Sequence, residues 1–358
     1  MAERESQTPS ELGFRMPAEW HPHHSTWLTW PKDPETWPDR VTQVEDIYLQ
    51  MIAALTPHEI VDLLVDNEEA ERAIRERCTP AATARIHFHH IQTVDSWIRD
   101  YGPNFLVGSN GEGAFNDWVF NAWGNKYEEL KKDDTVPSRL ESFLKMRRFS
   151  PGIVMEGGSI EVNGAGCVLT TEQCLLNPNR NPDLSRKEIE QYLKDYLGMT
   201  KVLWLGEGIV GDDTDGHVDD IARFVASDMI VCAVEEDPAD ANYDILQDNL
   251  KRLKSMTDAN GKSFEIVTLP MPGTVGGSST GTRDLERLPA SYANFYIANN
   301  VVLAPVFGHA NDERGVDTLQ RLFPTRQIVP INCEPLVWGM GTIHCVTQQQ
   351  PEIRVIRG

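Results

Sequence analysis

The sequence has no long apolar run and no sign of a secretion signal. No stretch approaches the about 18 consecutive apolar residues that a transmembrane helix needs. The opening segment MAERESQTPSEL is polar and charged, without the apolar core of a signal peptide. We therefore expect a cytoplasmic protein without membrane contacts, in which residues 1–12 are a short frayed tail.

Basic residues are also scarce. Lys and Arg together number 33 against 54 Asp and Glu, which gives a formal net charge of −21. Nucleic acid is therefore a poor candidate partner, because its phosphates require a basic surface. A field of this sign attracts small cations, although an acidic surface also serves solubility alone.

The six cysteines include no Cys-x-x-Cys pair, which argues against zinc and redox motifs. Without a secretion signal we expect no disulfides. Cys167 and Cys232 fall in apolar strand halves, and Cys78 ends a polar helix. Cys174 and Cys333 fall at strand ends without a constellation of charged residues, so Cys345, beside His344 and a polar exit, is the candidate for reactivity.

A recurring hairpin pattern organises the chain. Apolar residues flank an Asn-Gly pair in SIEVNGAGCVLTT, which is a strong hairpin signal. Related segments turn at Ser227-Asp228 and Asn299-Asn300. The four predicted hairpins cover 104–115, 159–171, 222–234 and 294–306.

A helix and a short strand follow most hairpins. Residues 186–198 place Ile189, Leu193 and Leu197 on one helical face and end at Gly198. One such unit is too small to bury its own apolar face, so several must pack together. We therefore predict one domain over 13–358, with a two-domain α/β protein as the alternative. The other predicted helices are 139–146, 243–256 and 315–323, the closing strands are 152–155, 201–205, 265–269 and 326–331, and residues 25–65 supply a fifth unit.

Chemically capable residues stand just before these units. They are Asp100, Glu156, the pair His217 and Asp219, and Cys345. A repeat that arranges equivalent strands around an axis brings these positions together. If residues 217–219 are extended, His217 and Asp219 point to one face.

Each candidate also has a plain structural interpretation. Asp100 beside Arg99 reads equally as a surface ion pair, and Glu156 before two glycines as a turn carboxylate. Metal and phosphate motifs fail on spacing. An EF-hand with Gly216 at its sixth position would need ligands at Gly211 and Ala222. The segment 274–282 has no Walker lysine.

The motifs WIRDYGP, MEGGSIEVNG, TEQCLLNPNRNP, DDTDGHVDD, LPASYANFYIANNVVLAPVFG and GTIHCVTQQQP together resemble the agmatine deiminase and bacterial-type peptidylarginine deiminase family. The resemblance covers nearly the whole chain. It implies a five-bladed α/β-propeller, or pentein, with pseudo-fivefold units around a central active site. Met340, Thr342 and the segment DIARF depart from the usual agmatine deiminase pattern and bear on the substrate tail.

The resemblance also implies roles. Cys345 corresponds to the nucleophile, His217 to the general acid/base, Asp100 and Asp219 to the carboxylates that grip the guanidinium, and Glu156 to a further carboxylate beside the histidine. No cofactor or metal is implied.

Aromatic faces bind alkylammonium groups, so we name Trp97 and Trp123 as substrate-binding candidates, against the simpler view that they are core. The expected partner is a small cationic guanidine, and self-association stays open. Deimination of agmatine to N-carbamoylputrescine is the favoured function. The alternatives are deimination of peptidyl arginine and a non-catalytic cation-binding module.

Overall fold

The computed structural model describes residues 7–276 and 287–353. In this part of the chain, strands alternate with helices and form five small sheets of three or four strands each. The α/β class that the hairpin and helix patterns predict is therefore confirmed. None of the described helices is long and apolar enough to cross a membrane.

The described strands and helices are short. The strands are β1 (Phe14–Arg15), β2 (His23–Thr29), β3 (Ile60–Val65), β4 (Ile86–His90), β5 (Asn104–Gly108), β6 (Gly113–Asn116), β7 (Arg147–Phe149), β8 (Glu161–Val162), β9 (Cys167–Thr171), β10 (Lys201–Leu205), β11 (Ala222–Ala226), β12 (Met229–Val234), β13 (Glu265–Pro270), β14 (Tyr296–Ala298), β15 (Val301–Val306), β16 (Gln327–Asn332) and β17 (Thr347–Pro351). The α-helices are α1 (Val41–Leu55), α2 (Glu68–Arg77), α3 (Pro80–Thr83), α4 (Ile98–Tyr101), α5 (Ala122–Asn125), α6 (Val136–Leu144), α7 (Glu172–Leu175), α8 (Arg186–Leu197), α9 (Tyr243–Ser255), α10 (Asp312–Leu322) and α11 (Glu334–Val337). Short 3-10 helices cover Ser10–Leu12, Glu129–Thr135, Gly157–Ser159 and Val218–Asp220.

The predicted hairpins are confirmed. Each joins two antiparallel strands, and the second strand pairs in parallel with the strand after the next long helix. Ala226 pairs with Met229 across Ser227-Asp228, and Ala298 pairs with Val301 across Asn299-Asn300. Local turn chemistry therefore specifies four of the five sheets.

The fifth sheet joins the two ends of the chain. Strand β17 pairs antiparallel with β2, so that Gln348 faces Trp27, and β2 and β4 pair in parallel with β3. The strand pattern at 25–65 predicts β2 and β3. It does not identify β17 as their partner, because that partner lies more than 300 residues away.

Helix α8 illustrates how sequence sets a boundary. Ser185 accepts the backbone N–H of Glu188, whose side chain accepts the Ser185 backbone N–H in return, which forms a capping box. Gly198 ends the helix with φ 68°, in the left-handed region that favours glycine. Ile189, Leu193 and Leu197 are buried, as the helical spacing predicts. Replacing Ser185 with Ala should cost about 1 kcal/mol of stability.

The buried apolar side chains form three clusters. The largest packs α1 against β2, β3 and β15. A second surrounds α8, and a third surrounds α9, β11 and β12. Burying each amphipathic helix face against its sheet supplies the main favourable free energy of the fold.

Three sequence predictions need correction or restriction. Residues 152–155 do not form a strand, because Gly152 turns the chain at φ 75° and Val154 makes only an isolated bridge; β7 takes that place in the sheet. The end of the expected tail, Ser10–Leu12, is a 3-10 helix whose Leu12 packs on the α8 cluster. Residues 1–6 and the predicted loop at 277–282 lie outside the described residues.

Candidate active site

Cys345 lies in a turn at 343–346, directly before β17. The apolar pair Ile343 and Val346 resembles the core of a strand in the sequence, but the structure forms a turn there. The side chain of Asn294 accepts the His344 N–H at 2.9 Å, and the Thr347 N–H bonds back to the His344 carbonyl. These two hydrogen bonds close a turn, and they use backbone groups that a strand would pair with a neighbouring strand.

The Cys345 thiol has polar neighbours from two other segments. Nδ2 of Asn294 lies 3.2 Å from Sγ, and Oδ2 of Asp219 lies 4.0 Å from it. Only 6 % of Cys345 is exposed, and that part borders a cavity. The sulfur therefore contacts the Asn294 amide, and a molecule in the cavity could reach it.

The cavity has a volume of roughly 770 Å³. The buried residues of its lining include Trp97, Asp100, Trp123, Gly341 and Cys345, and we call these its inner part. The half-exposed and exposed lining residues form its outer part and include five acidic side chains and one lysine: Asp33, Glu35, Glu128, Glu129, Asp213 and Lys126. The volume suits a small molecule, and the charge suits a cation.

Asp100 is buried on helix α4, so the surface ion-pair interpretation is wrong. Its Oδ2 accepts the indole N–H of Trp123 at 2.9 Å, and its Oδ1 accepts the Gly158 backbone N–H at 2.9 Å. Trp123 reaches it from a backbone with φ 53°, a region that large L residues rarely adopt. Arg99 points elsewhere, toward Glu19 and Gln349.

The two tryptophans named from the sequence both line the cavity. Trp97 donates its indole N–H to Asp95 at 2.9 Å, and Trp123 donates to Asp100. Both also belong to the large apolar cluster. Both tryptophans are therefore part of the core and also line the cavity. That they contact the substrate stays a prediction.

His217 and Asp219 are not in a strand. His217 precedes a 3-10 helix that contains Asp219, because the preceding Asp212 accepts the N–H groups of Gly216 and His217 and closes a tight loop. The extended conformation, in which both side chains would point to one face, is therefore not formed. The fold still brings them together, since Oδ2 of Asp219 and Nδ1 of His217 both lie within about 3 Å of one point above Gly158.

Gly158 occupies the centre of this group. A Cβ atom there would lie 2.6 Å from Nδ1 of His217, 2.9 Å from Oδ1 of Asp100 and 3.1 Å from Oδ2 of Asp219. Only a residue without a side chain allows the three groups to converge. The glycine pair after Glu156 is therefore a packing requirement of the site.

A chain of buried ionic contacts lies behind Asp219. Its Oδ2 bonds to Nδ1 of His344 at 2.6 Å, and Nε2 of His344 bonds to Glu19 at 2.7 Å. Arg223 completes the chain by pairing with Glu19 at 2.8 Å. The other oxygen of Asp219, Oδ1, is buried and has no hydrogen-bond partner among the described residues.

Glu156 is fully buried beside a different partner. Its Oε1 accepts Nε of Arg180 at 2.6 Å, while Oε2 has no hydrogen-bond partner among the residues that the structure describes. Glu156, Cys174 and His217 bring ligating atoms within 4.8 Å of one another. Cys174, on helix α7, therefore has the charged surroundings that the sequence did not reveal, and this trio is the described group able to hold a metal ion.

Burial and charge shift the pKa values of the site. Burial and the nearby Asp219, Asp220 and Asp100 raise the pKa of Cys345 well above its usual value. Burial lowers the pKa of His217 to about 3. At neutral pH the protein by itself therefore favours a neutral thiol and a neutral imidazole.

The two aspartates shift in opposite directions. Burial and the charge of Asp219 raise the pKa of Asp100 well above its usual value. Burial acts the same way on Asp219, but the hydrogen bond and charge of His344 outweigh it and lower the pKa of that carboxyl. Asp219 is thus the permanently charged member of the pair.

The structure brings Asp100, Glu156, His217, Asp219 and Cys345 into one neighbourhood, while only Asp100 and Cys345 of these border the cavity directly. Sequence reasoning gave no role to Asn294, His344, Arg180 or Glu19. Asn294, Arg180 and His344 do lie within quoted motifs, and that position was the available signal. Glu19 opens the segment EWHPHHSTWLTWP, where the family resemblance begins near the start of the chain.

Comparison with known proteins gives a consistent set of relatives. A family model described as Porphyromonas-type peptidyl-arginine deiminase matches residues 15–351. A Legionella pneumophila protein, provisionally named an agmatine deiminase, is 40% identical over 96% of this chain and 97% of its own length.

Solved structures agree. The agmatine deiminase of Enterococcus faecalis, described as catalysing its reaction, superposes with a TM-score of 0.90 at 35% identity, covering 98% of this chain and 100% of that one. A cysteine-to-serine variant of the C. jejuni agmatine deiminase with substrate bound superposes with a TM-score of 0.84 at 30% identity, covering 95% and 97%.

Proposed function

Because the chain belongs to the Porphyromonas-type peptidyl-arginine deiminase family, we propose that it hydrolyses the guanidinium group of agmatine and releases ammonia and N-carbamoylputrescine. The carrying observation is Oδ1 of Asp219, a buried carboxylate oxygen without a partner in the described residues, on the side chain whose other oxygen lies 4.0 Å from Sγ of Cys345. A buried unpaired acceptor is costly, and a guanidinium N–H satisfies it.

Two carboxylates with different surroundings suit a planar cation. Asp219 is fixed by His344, and Asp100 is fixed by Trp123 and the Gly158 N–H. Charge-assisted bonds from the guanidinium to both would orient its central carbon toward Cys345. Fixing that carbon against sulfur supplies the proximity term of catalysis.

The proposed reaction has two halves. When the substrate binds, the Cys345 thiol passes its proton to His217. The resulting thiolate attacks the guanidinium carbon, a C–S bond forms, and the C=N electron pair moves to nitrogen. His217 then delivers a proton to the terminal nitrogen, which leaves as ammonia, and an S-alkylthiouronium adduct remains. In the second half His217 takes a proton from water. The hydroxide adds to the same carbon, the C–S bond breaks, and the urea product leaves.

The substrate itself supplies the charge that ionises the sulfur in this proposal. The sequence leaves two routes open: an imidazolium from His217, or the cationic substrate. Burial lowers the pKa of His217 to about 3, which disfavours the imidazolium. Burial and the nearby carboxylates raise the pKa of Cys345, and a guanidinium placed between those carboxylates and the sulfur offsets their part of the effect.

The acidic outer part of the cavity favours agmatine over peptidyl arginine. Agmatine ends in a second cation, whereas a peptide arginine ends in neutral backbone. Asp33, Glu35, Glu128 and Asp213 border the outer cavity, where a distal ammonium would lie. Several carboxylates there attract a dication more strongly than a singly charged peptide side chain.

We also propose that the five sheets are five repeated units around a common axis. Each contains an antiparallel strand pair followed by a parallel strand. The residues proposed for catalysis come from several of these units. A single domain over 13–358, the cytoplasmic location and self-association stay predictions.

The test is an ammonia-release assay with agmatine, free arginine and an arginine peptide blocked at both ends, at one pH. We expect the highest kcat/KM for agmatine, and mass spectrometry of the quenched enzyme to find the adduct on Cys345. Cys345→Ser should abolish release, with Cys232→Ser as the matched control for removing a buried thiol. A peptide preferred over agmatine would overturn the substrate, and normal turnover by Cys345→Ser would overturn the chemistry.

A further inference from the structure

A second group of potential ligands lies behind the reacting cysteine. Glu156, Cys174 and His217 come from three separate segments, and their ligating atoms all lie within 4.8 Å of one another. Exposures of 0 % for Glu156 and Cys174 and 1 % for His217 place the whole group out of solvent. A cysteine in this position is not used by the proposed reaction.

Two atoms of this group are unexplained by the protein's own bonding. Oε2 of Glu156 and Nε2 of His217 are buried and have no hydrogen-bond partner among residues 7–276 and 287–353. The remaining atoms face elsewhere: Oε1 of Glu156 is taken by Arg180, and Nδ1 of His217 faces Gly158 and Asp100. Two unpaired polar atoms beside a thiol form a candidate ligand set for a cation.

The chemistry of the set matches zinc. Thiolate, imidazole and carboxylate are the three ligand types that Zn²⁺ binds, at about 2.3 Å for sulfur and about 2.0–2.2 Å for nitrogen and oxygen. Ligands around a tetrahedral ion stand about 3.5 Å apart at those lengths. The observed upper bound of 4.8 Å therefore requires each pair to close by little more than about 1 Å.

From this geometry we propose that Glu156, Cys174 and His217 form an inhibitory site for a thiophilic divalent cation of the Zn²⁺ class. Occupation would hold Nε2 of His217 on the ion, and the ring could no longer cycle a proton. The site would restrain the enzyme rather than support its chemistry. Removing metal with a chelator should therefore never lower activity.

The surroundings favour a cation despite one positive neighbour. Arg180 pairs with Glu156 at 2.6 Å, but it also pairs with Asp215 at 2.7 Å, so its charge is matched. Asp100, 3.7 Å from His217, adds a further carboxylate and borders the cavity. Asp100 therefore lies between the cavity and the buried trio, and Cys174 would release its proton on binding the ion.

The decisive measurement is metal binding in a Cys345→Ser background, which removes the reactive thiol as a competing ligand and needs no activity. Its outcome is therefore independent of the proposed function. Co²⁺ is the probe, because a thiolate ligand produces a sulfur-to-cobalt charge-transfer band. We expect one equivalent of Co²⁺ with this band in Cys345→Ser, and displacement by Zn²⁺.

Two double variants locate the site. Adding Cys174→Ser should abolish the band and weaken Zn²⁺ binding, measured against a chromogenic chelator, by at least about 100-fold. Adding Cys232→Ser, which removes a buried thiol in β12, should change neither. If the Cys174→Ser protein does not fold, Glu156→Gln in the same background takes its place, with the same expected loss of Zn²⁺ affinity.

Three results would overturn the proposal. The first is no stoichiometric binding to Cys345→Ser, and the second is equal binding with and without Cys174. The third concerns the enzyme with Cys345 intact. There, Zn²⁺ should inhibit ammonia release, a chelator should relieve this inhibition, and Cys174→Ser should weaken it. Inhibition that is unchanged in Cys174→Ser would show that the ion binds elsewhere.

Discussion

Adding one methyl group at Gly158 should disable the site while leaving the fold intact. The new Cβ would lie 2.6 Å from Nδ1 of His217, whereas ordinary van der Waals contact begins at 3.4 Å. The imidazole must therefore retreat by about 0.8 Å, the difference between those distances, or the 3-10 helix must shift instead. Asp100 and Asp219 are approached at 2.9 and 3.1 Å and must also move.

The magnitude follows from the sensitivity of catalysis to position. A misplacement of about 1 Å can reduce rate about 100-fold, which corresponds to about 2.7 kcal/mol of transition-state stabilisation. No backbone strain contributes, because Gly158 is not among the positive-φ glycines. Gly158→Ala should therefore lower kcat/KM for agmatine about 100-fold with a nearly unchanged melting temperature.

Gly206→Ala is the matched control for this prediction. The three atoms nearest to its Cβ would be the ends of the Asp248 and Arg252 side chains at 3.2–3.3 Å, and these side chains reach solvent and can move. Both variants should be measured for ammonia release and for thermal unfolding. A Gly158→Ala enzyme within threefold of wild type would refute the claim that this glycine is required for the three groups to converge.

Three further predictions concern charge. Asp100→Asn and Asp219→Asn, each in the Cys345→Ser background, should weaken agmatine binding about 10- to 100-fold, as measured by calorimetry. Each variant removes a charge-assisted bond of roughly 1.5–3 kcal/mol. Unchanged affinity in both would contradict the proposal that the two carboxylates bind the guanidinium. His344→Gln removes the group that lowers the pKa of Asp219, so the acid limb of the kcat/KM profile should move to higher pH, and an unmoved limb would count against this role. Because the pKa of Cys345 is raised well above its usual value, its alkylation by iodoacetamide should accelerate about tenfold per pH unit from pH 6 to 9 without levelling, and a plateau below pH 8 would show an already ionised thiolate.

Local patterns predicted the repeated part of the fold. Asn-Gly and related turn pairs, apolar strand halves and the helical spacing before Gly198 all act within about 20 residues, so the chain reveals them directly. The prediction failed at 152–155, where an apolar run looks like a strand but Gly152 turns the backbone. It was also silent on the pairing of β17 with β2, because that contact joins the two ends of the described chain.

The candidate site shows the same difference between what the sequence determines and what only the tertiary structure decides. The sequence by itself determined which residue types were available and, through six separated motifs, the family to which they belong. Only the tertiary structure decided what each one touches. Asp100 became a buried acceptor because Trp123 and Gly158 reach it from other segments, and Cys174 gained the ionisable neighbours Glu156 and His217.

The physical reason is the range of the interactions. Turn and helix preferences depend on the few residues nearest in the chain, and the sequence states them. Burial, pKa shifts and the pairing of Asp219 with His344, 125 positions apart, depend on atoms that only folding brings within a few ångströms. A sequence therefore determines the chemistry that a protein has available, and the packing of distant segments decides which groups are charged, paired or free to react.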